Sequence, residues 1–223
     1  FAGVHFTRSL ANFRLRKKAR PMSAVFVVCN RCNLACQYCN SPLIREKELS
    51  LDEISLMLRN LRSMGVFRLG LTGGEPLLRN DLTDIILEAN NLKFFVSLNS
   101  NLLLYNKRPE VFSGVRFVFT SLDGEKEVHE KNRGKKSYSG VLEAIRDLRA
   151  RKIPVVAITV IDHHNVASID WLIDTAEQID FRLHFQIRGA AENPSKNFPI
   201  RGNFSQDFET EQYRSLWEHI RNR

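Results

Sequence analysis

The sequence predicts an α/β fold with parallel strands. Three observations predict it: short apolar runs of strand length recur along the chain, amphipathic helical stripes separate them, and capping or breaking residues stand at the junctions. Ala24 to Val28 is an apolar run of the kind a strand buried on both faces carries. Ser50 with Glu53 reads as a capping box that opens a helix. Leu51, Ile54, Leu58 and Leu61 form its apolar stripe, and Gly65 stops it. Phe67 to Leu71 is the second strand, and Asn80 or Asp81 caps a second helix with Leu82, Ile85 and Ile86 inward. Phe94 to Leu98 and Val115 to Phe119 supply the third and fourth strands. The weakly periodic stretch between them, Asn101 to Ser113 with Pro109, holds a short helix. Ser139 caps a helix with Leu142, Ile145 and Leu148 inward, and Pro154 to Ile161 is the fifth strand. Ile169, Leu172, Ala176 and Ile179 mark the next helix, and Phe181 to Ile187 the sixth strand. Strands separated by helices imply right-handed parallel crossovers. A doubly wound open sheet and part of a barrel both satisfy this pattern, and both place ligands at the carboxyl ends of the strands.

The 223 residues, 43% hydrophobic, are enough for one sizeable core. The expected layout is a basic leader over 1–22, a core over 23–189, and an irregular connection with a last helix over 190–223. That connection is polar through Pro194 and Pro199. The last helix, near Glu209 to Ile220, offers Tyr213, Leu216 and Trp217 for packing, and the chain is expected to continue beyond it. No stretch approaches the roughly 18 consecutive apolar residues of a membrane helix, and no secretory h-region is present, so a cytoplasmic protein is expected. All four cysteines fall between 29 and 39, which is poor material for a disulfide framework and fits a reducing compartment. The net charge of +8 is concentrated in the leader. There Arg8, Arg14, Arg16, Lys17, Lys18 and Arg20 interleave with Phe6, Leu10 and Phe13 before Pro21. Such a segment either packs its aromatic side on the domain or makes peripheral contact with an anionic membrane surface; nucleic acid is not expected as a partner.

Cys32-Asn33-Leu34-Ala35-Cys36-Gln37-Tyr38-Cys39 follows directly on the first strand. Three thiolates on a compact C-x3-C-x2-C loop can grip three corners of an iron-sulfur cube and leave one iron open to activate a small molecule. Cys29, just upstream, extends the pattern to C-x2-C-x3-C-x2-C, and four thiolates can also close a tetrahedral zinc site. Zinc ribbons separate their pairs by roughly a dozen or more residues. Here the cysteines crowd together and Cys29 ends the strand, so it reads as a spare thiol beside a three-cysteine cluster. A noncatalytic iron-sulfur or zinc module using all four is the alternative.

Two further strand ends carry chemistry. After the second strand comes Thr72-Gly73-Gly74-Glu75-Pro76: the glycines let the backbone approach a ligand, and Glu75 offers a carboxylate to an ammonium group. Taken alone this reads as an ordinary strand-to-helix turn. After the fourth strand comes Thr120-Ser121-Leu122-Asp123-Gly124, followed by Glu127, His129 and Arg133, which otherwise reads as a solvated charged loop. His163 and His164 follow the fifth strand, either solvated or touching a substrate.

With these three motifs in this order, the chain from about Ala24 to Gly189 resembles the radical S-adenosylmethionine (radical SAM) enzymes. Its S-L-D-G…H-x3-R segment resembles the branch with molybdopterin, peptide-modifying and sulfatase-maturing members. The resemblance implies a partial (β/α)6 TIM-like barrel of parallel strands, open laterally. It implies a 4Fe-4S cluster on Cys32, Cys36 and Cys39, whose fourth iron chelates the amino and carboxylate groups of SAM. By position, Gly73, Gly74 and Glu75 hold the amino end of SAM, Ser121 its ribose and Arg133 its carboxylate. Tyr38 lies beside the adenine, where core filling is the competing reading. Ser100-Asn101-Leu102 stands where many relatives carry Thr-Asn-Gly, and Leu102 departs from that glycine. The implied activity is that of an oxidoreductase. A one-electron reductant such as flavodoxin or ferredoxin drives SAM to a 5′-deoxyadenosyl radical, which takes hydrogen from a peptide or cofactor-precursor substrate. Relatives often bear a C-terminal extension with further cysteines, and none follows Cys39 here.

Overall fold

The computed structural model describes residues 21–36, 39, 47–187 and 210–223. The readings of the basic leader up to Arg20, of Tyr38 and of the polar connection around Pro194 and Pro199 lie outside the described residues. The chain is α/β and divides into two compact units, Phe1–Asn33 with Ile44–Phe119, and Leu34–Leu43 with Thr120–Arg223.

In the first unit, β1 (Ser23–Cys29), β2 (Arg68–Gly73), β3 (Phe95–Asn99) and the start of β4 (Phe117–Ser121) pair parallel in chain order, with Val25 beside Gly70, Leu69 beside Val96 and Leu98 beside Val118. Helix α1 (Leu51–Ser63) follows β1. Both halves of its expected capping box form: Glu53 N–H donates to Ser50 Oγ at 3.3 Å and Ser50 N–H to the Glu53 carboxylate at 2.7 Å. Ile54 and Leu58 are fully buried along its inner stripe. Helix α2 (Leu82–Asn91) buries Leu82, Ile85, Ile86 and Ala89. Asp81 holds the N-cap position without capping, because Arg79 takes both carboxylate oxygens at 2.6 and 2.9 Å. The single short helix expected over 101–113 is instead two 3-10 turns, Tyr105–Lys107 and Pro109–Gly114.

The expectation that β1 is buried on both faces is corrected. Phe26, Val28, Leu69, Leu71, Val96, Leu98 and Val118 line one buried face, whereas Val25 and Val27 on the other are 76% and 55% exposed. Apolar residues on both faces hide the period-two alternation that marks a half-covered strand.

The second unit holds α3 (Lys126–Arg133), α4 (Ser137–Ala150), β5 (Val155–Ile161), α5 (Ile169–Ile179), β6 (Arg182–Ile187) and α6 (Thr210–Asn222). β5 and β6 pair parallel, with Ala157 beside Leu183. Val155, Ala157, Thr159 and Ile161 are the buried alternate residues of β5. Helix α3 was not expected, since its eight residues carry no apolar stripe and bury only His129. Ser139 does not cap α4. The helix begins at Ser137, behind Lys136 in a left-handed conformation, and the Ser137 hydroxyl donates to Gly134 O at 2.6 Å. Leu216 on α6 packs with Ile161 and Ile169, while Trp217 is 46% exposed and so does not serve the packing expected of it. Among the described residues no helix is long and apolar enough to cross a membrane.

Candidate functional site

Parallel strands in register bring their carboxyl ends side by side, so in the first unit the segments leaving β1, β2 and β3 are neighbours. Their backbones interlock. Gly74 N–H donates to Cys29 O at 2.9 Å, and Glu75 N–H donates to Arg31 O at 2.8 Å. A Cβ added to Gly73, whose φ is +153°, would lie 2.1 Å from Cys29 O; one added to Gly74 would lie 2.3 Å from Arg31 O. Glycine is therefore required because the turn lies against the entrance to the cysteine loop. Sequence reading had assigned that closeness to a ligand. Cys29 is buried, and its Sγ–H donates to Glu75 O at 3.2 Å and Arg31 O at 3.4 Å. Burial raises its thiol pKa, which keeps the sulfur protonated and in place as a donor.

The Glu75 carboxylate is fully buried. Its Oε1 accepts from Leu77 N–H at 2.9 Å and Ser100 Oγ–H at 2.8 Å, and its Oε2 from Asn101 N–H at 2.7 Å. Desolvation pushes its pKa up against the pull of these donors. The Asn101 side chain continues the connection, Nδ2–H donating to Asn33 Oδ1 at 2.7 Å. Leu102 sits at φ +63° and is 1% exposed, so the residue in place of the relatives' glycine occupies a left-handed site at a cost of about 1–2 kcal/mol. Arg79 donates to Val28 O at 2.9 Å and to Leu49 O at 2.7 Å, strapping the chain on both sides of the loop. Arg79 and Asn101 are not among the expected site residues; Arg79 belongs to no motif, Asn101 stands in the Ser100-Asn101-Leu102 segment with no role assigned to it, and only the fold reveals what they hold.

In the second unit, Cys39 N–H donates to Cys36 O at 3.1 Å, which sets these two cysteines on one turn. None of the four cysteines is in a disulfide. Among the described residues no three His, Cys, Asp or Glu side chains are preassembled as a metal cage.

Past β4, Ser121 is half-buried and Asp123 fully buried. β5 fixes the residue between them, since Leu122 N–H donates to Ile158 O at 3.4 Å and Thr159 Oγ–H donates to Leu122 O at 2.6 Å. The Arg133 fork grips Asp123, Nε to Oδ2 at 2.7 Å and one terminal nitrogen to Oδ1 at 3.1 Å, and Asn132 adds a third donor at 3.3 Å. The guanidinium edge that sequence reading gave to a SAM carboxylate thus pairs with a carboxylate of the chain itself. Asp123 N–H donates to Nδ1 of the buried His129 at 3.2 Å, which fixes the tautomer with the proton on Nε2. Burial pulls the pKa of this ring down to about 4, and Nε2 has no partner among the described residues. Gly124, at φ +151°, leaves room for Ser168, whose Oγ would be 2.5 Å from an added Cβ. His163 and His164 are exposed, their ring centroids 3.8 Å apart.

The family model described as the Radical SAM superfamily matches residues 26–176. The crystal structure of SuiB from Streptococcus suis aligns with a TM-score of 0.76 at 15% identity, covering 97% of this chain and 50% of that one. SuiB bound to its precursor peptide SuiA aligns at 0.77 and 15%, covering 97% and 49%. Native anSMEcpe with bound AdoMet and Cp18Cys peptide aligns at 0.71 and 18%, covering 91% and 59%. The chain spans about half the length of the SuiB chains it matches. This likeness shows the fold, an α/β architecture with six parallel strands in an open sheet.

Proposed function

The chain belongs to the radical SAM superfamily, and from that premise we propose that it is the SAM-cleaving core of an enzyme acting on a peptide, with a cofactor precursor as the second substrate class. When bound, a 4Fe-4S cluster supplies an electron that converts SAM into methionine and a 5′-deoxyadenosyl radical able to remove hydrogen from the substrate.

The observation that carries the reading is the interlock of the first two motifs, where Gly74 and Glu75 donate their amides to Cys29 and Arg31. Cys32, Cys36 and Cys39 are soft sulfur donors within one short segment and fit three corners of the cluster. Cys29 is kept as a thiol by burial and by its two carbonyl acceptors, which takes the fourth ligand away from a zinc or closed-cluster module. Toward SAM, the proposed contacts are the backbone of Gly73, Gly74 and Glu75 at the amino end, Ser121 at the ribose and Tyr38 at the adenine; the Glu75 carboxylate and the Arg133 fork are taken by partners within the chain and serve by fixing the turn after β2 and the segment after β4. A peptide substrate is supported by the SuiA-bound and Cp18Cys-bound structures of the similar proteins. The proposed reductant is a flavodoxin or ferredoxin in a reducing compartment such as the cytoplasm, and the proposed core runs over 23–189.

The test is incubation of anaerobically reconstituted protein with SAM and a strong reductant. The expected product is 5′-deoxyadenosine; protein that loads zinc tightly and no iron sinks the proposal.

A further inference from the structure

Cys32 lies between two residues that the first unit anchors from outside the cysteine loop. On one side, Arg31 O receives Glu75 N–H at 2.8 Å; on the other, Asn33 Oδ1 receives Asn101 Nδ2–H at 2.7 Å. The second anchor is itself held. Asn101 N–H donates to the buried Glu75 carboxylate at 2.7 Å, and Asn101 Oδ1 accepts from Leu103 N–H at 3.0 Å. Because a backbone donor occupies Oδ1, the amide can face Asn33 only with its Nδ2, so the orientation of the donor is fixed by its surroundings. A hydrogen bond to a carboxylate is stronger than one between neutral groups. The buried end of the chain Glu75–Asn101–Asn33 is therefore the rigid one, and the exposed end at Asn33 is what it restrains.

We propose that Asn101 is a positioning residue for Cys32, acting through Asn33. The proposal rests on the reading of Cys32 as a cluster ligand. It gives the strand-end asparagine a role toward the cluster that does not require it to touch SAM, and it makes Glu75 the fixed point of that relay. Without the Asn101 amide, the Arg31 anchor stays while the Asn33 anchor on the other side of the sulfur is lost. One neutral hydrogen bond in this setting corresponds to about a fivefold change in a rate or equilibrium constant.

The experiment measures how fast a chelator bleaches the visible absorbance of the reconstituted cluster, without SAM, in the wild type, Asn101→Ala, Asn33→Ala and the double variant. Electron spin resonance spectra of the reduced clusters are recorded alongside. Asn33→Ala changes an exposed position and reads the same link from its other end, so the comparison survives if Asn101→Ala folds poorly. The expected result is about fivefold faster bleaching and an altered spectrum in each single variant, with no further change in the double. Singles that behave as wild type, a double whose effect is the product of two, or an unaffected Asn33→Ala overturn the relay. A wild type that loads no iron overturns the cluster reading itself.

Discussion

Each unit buries a carboxylate just past a parallel strand, Glu75 in the first and Asp123 in the second, and these two are stabilised in opposite ways. Glu75, after β2, is surrounded by two backbone amides and a hydroxyl; Asp123, after β4, is gripped by the Arg133 fork with help from Asn132. Neutral donors fix geometry and leave the charge uncompensated, which is why burial raises the pKa of Glu75. An ion pair compensates charge and makes each partner depend on the other. The first arrangement suits a turn that has to hold a neighbouring loop in register. The second suits a short helix, α3, that has almost no apolar surface to dock it.

Breaking the pair in the second unit should cost most. Arg133→Ala leaves Asp123 buried without its guanidinium partner, and urea denaturation should show a loss of about 3–5 kcal/mol, part of which Asp123→Asn in the same chain restores. The next effect belongs to His129, which the fold keeps neutral. Its pKa is pushed down to about 4 from an ordinary 6.5, so the unfolded chain binds the proton more readily between those values. Stability is then fully present above about pH 6.5 and falls by about 3 kcal/mol as pH drops to 4. Urea titrations across that window should show the decline, and His129→Gln should flatten it.

Glu75 sharpens the contrast because its sign is reversed. A raised carboxyl pKa means the folded state holds the proton longer, so the contribution of Glu75 is greatest at low pH and is lost as pH rises through its shifted value. Glu75→Gln should remove that dependence. The same change turns an amide donor toward donors already in place, at about 1–3 kcal/mol by denaturation. The smallest effect is expected at the exposed Arg31–Glu48 pair, 2.9 Å apart at the rim of the cysteine loop. Arg31→Ala should change stability by less than about 1 kcal/mol, and that little should vanish in high salt.

Much of this was legible in the sequence, and what was not has identifiable causes. The strand-helix alternation, the Ser50–Glu53 box and the stripe of Ile54 and Leu58 are local signals, and the structure keeps them. The motif segments leaving β1, β2 and β4 stand at the strand ends where the sequence put them. Helix α3 was invisible because its one inward residue is a histidine, and periodicity reads apolar residues. Asp81 looked like a cap until Arg79 claimed it. The glycines at 73 and 74 were correctly seen as places of close approach, yet what approaches is a carbonyl more than forty residues away in a chain folded back on itself, and local sequence carries no trace of that partner. Leu102 shows the reverse: the expected glycine reports a left-handed backbone, and leucine adopts it because burial of its side chain offsets the strain.

The central claim is that three sulfurs, without Cys29, hold a cluster whose remaining iron takes SAM. Its most direct test is the electron spin resonance spectrum of reconstituted, reduced Cys29→Ala protein recorded with and without SAM. The account predicts a four-iron cluster in the variant and a spectrum that shifts when SAM is added. A variant that cannot assemble the cluster, or a spectrum indifferent to SAM, would contradict it.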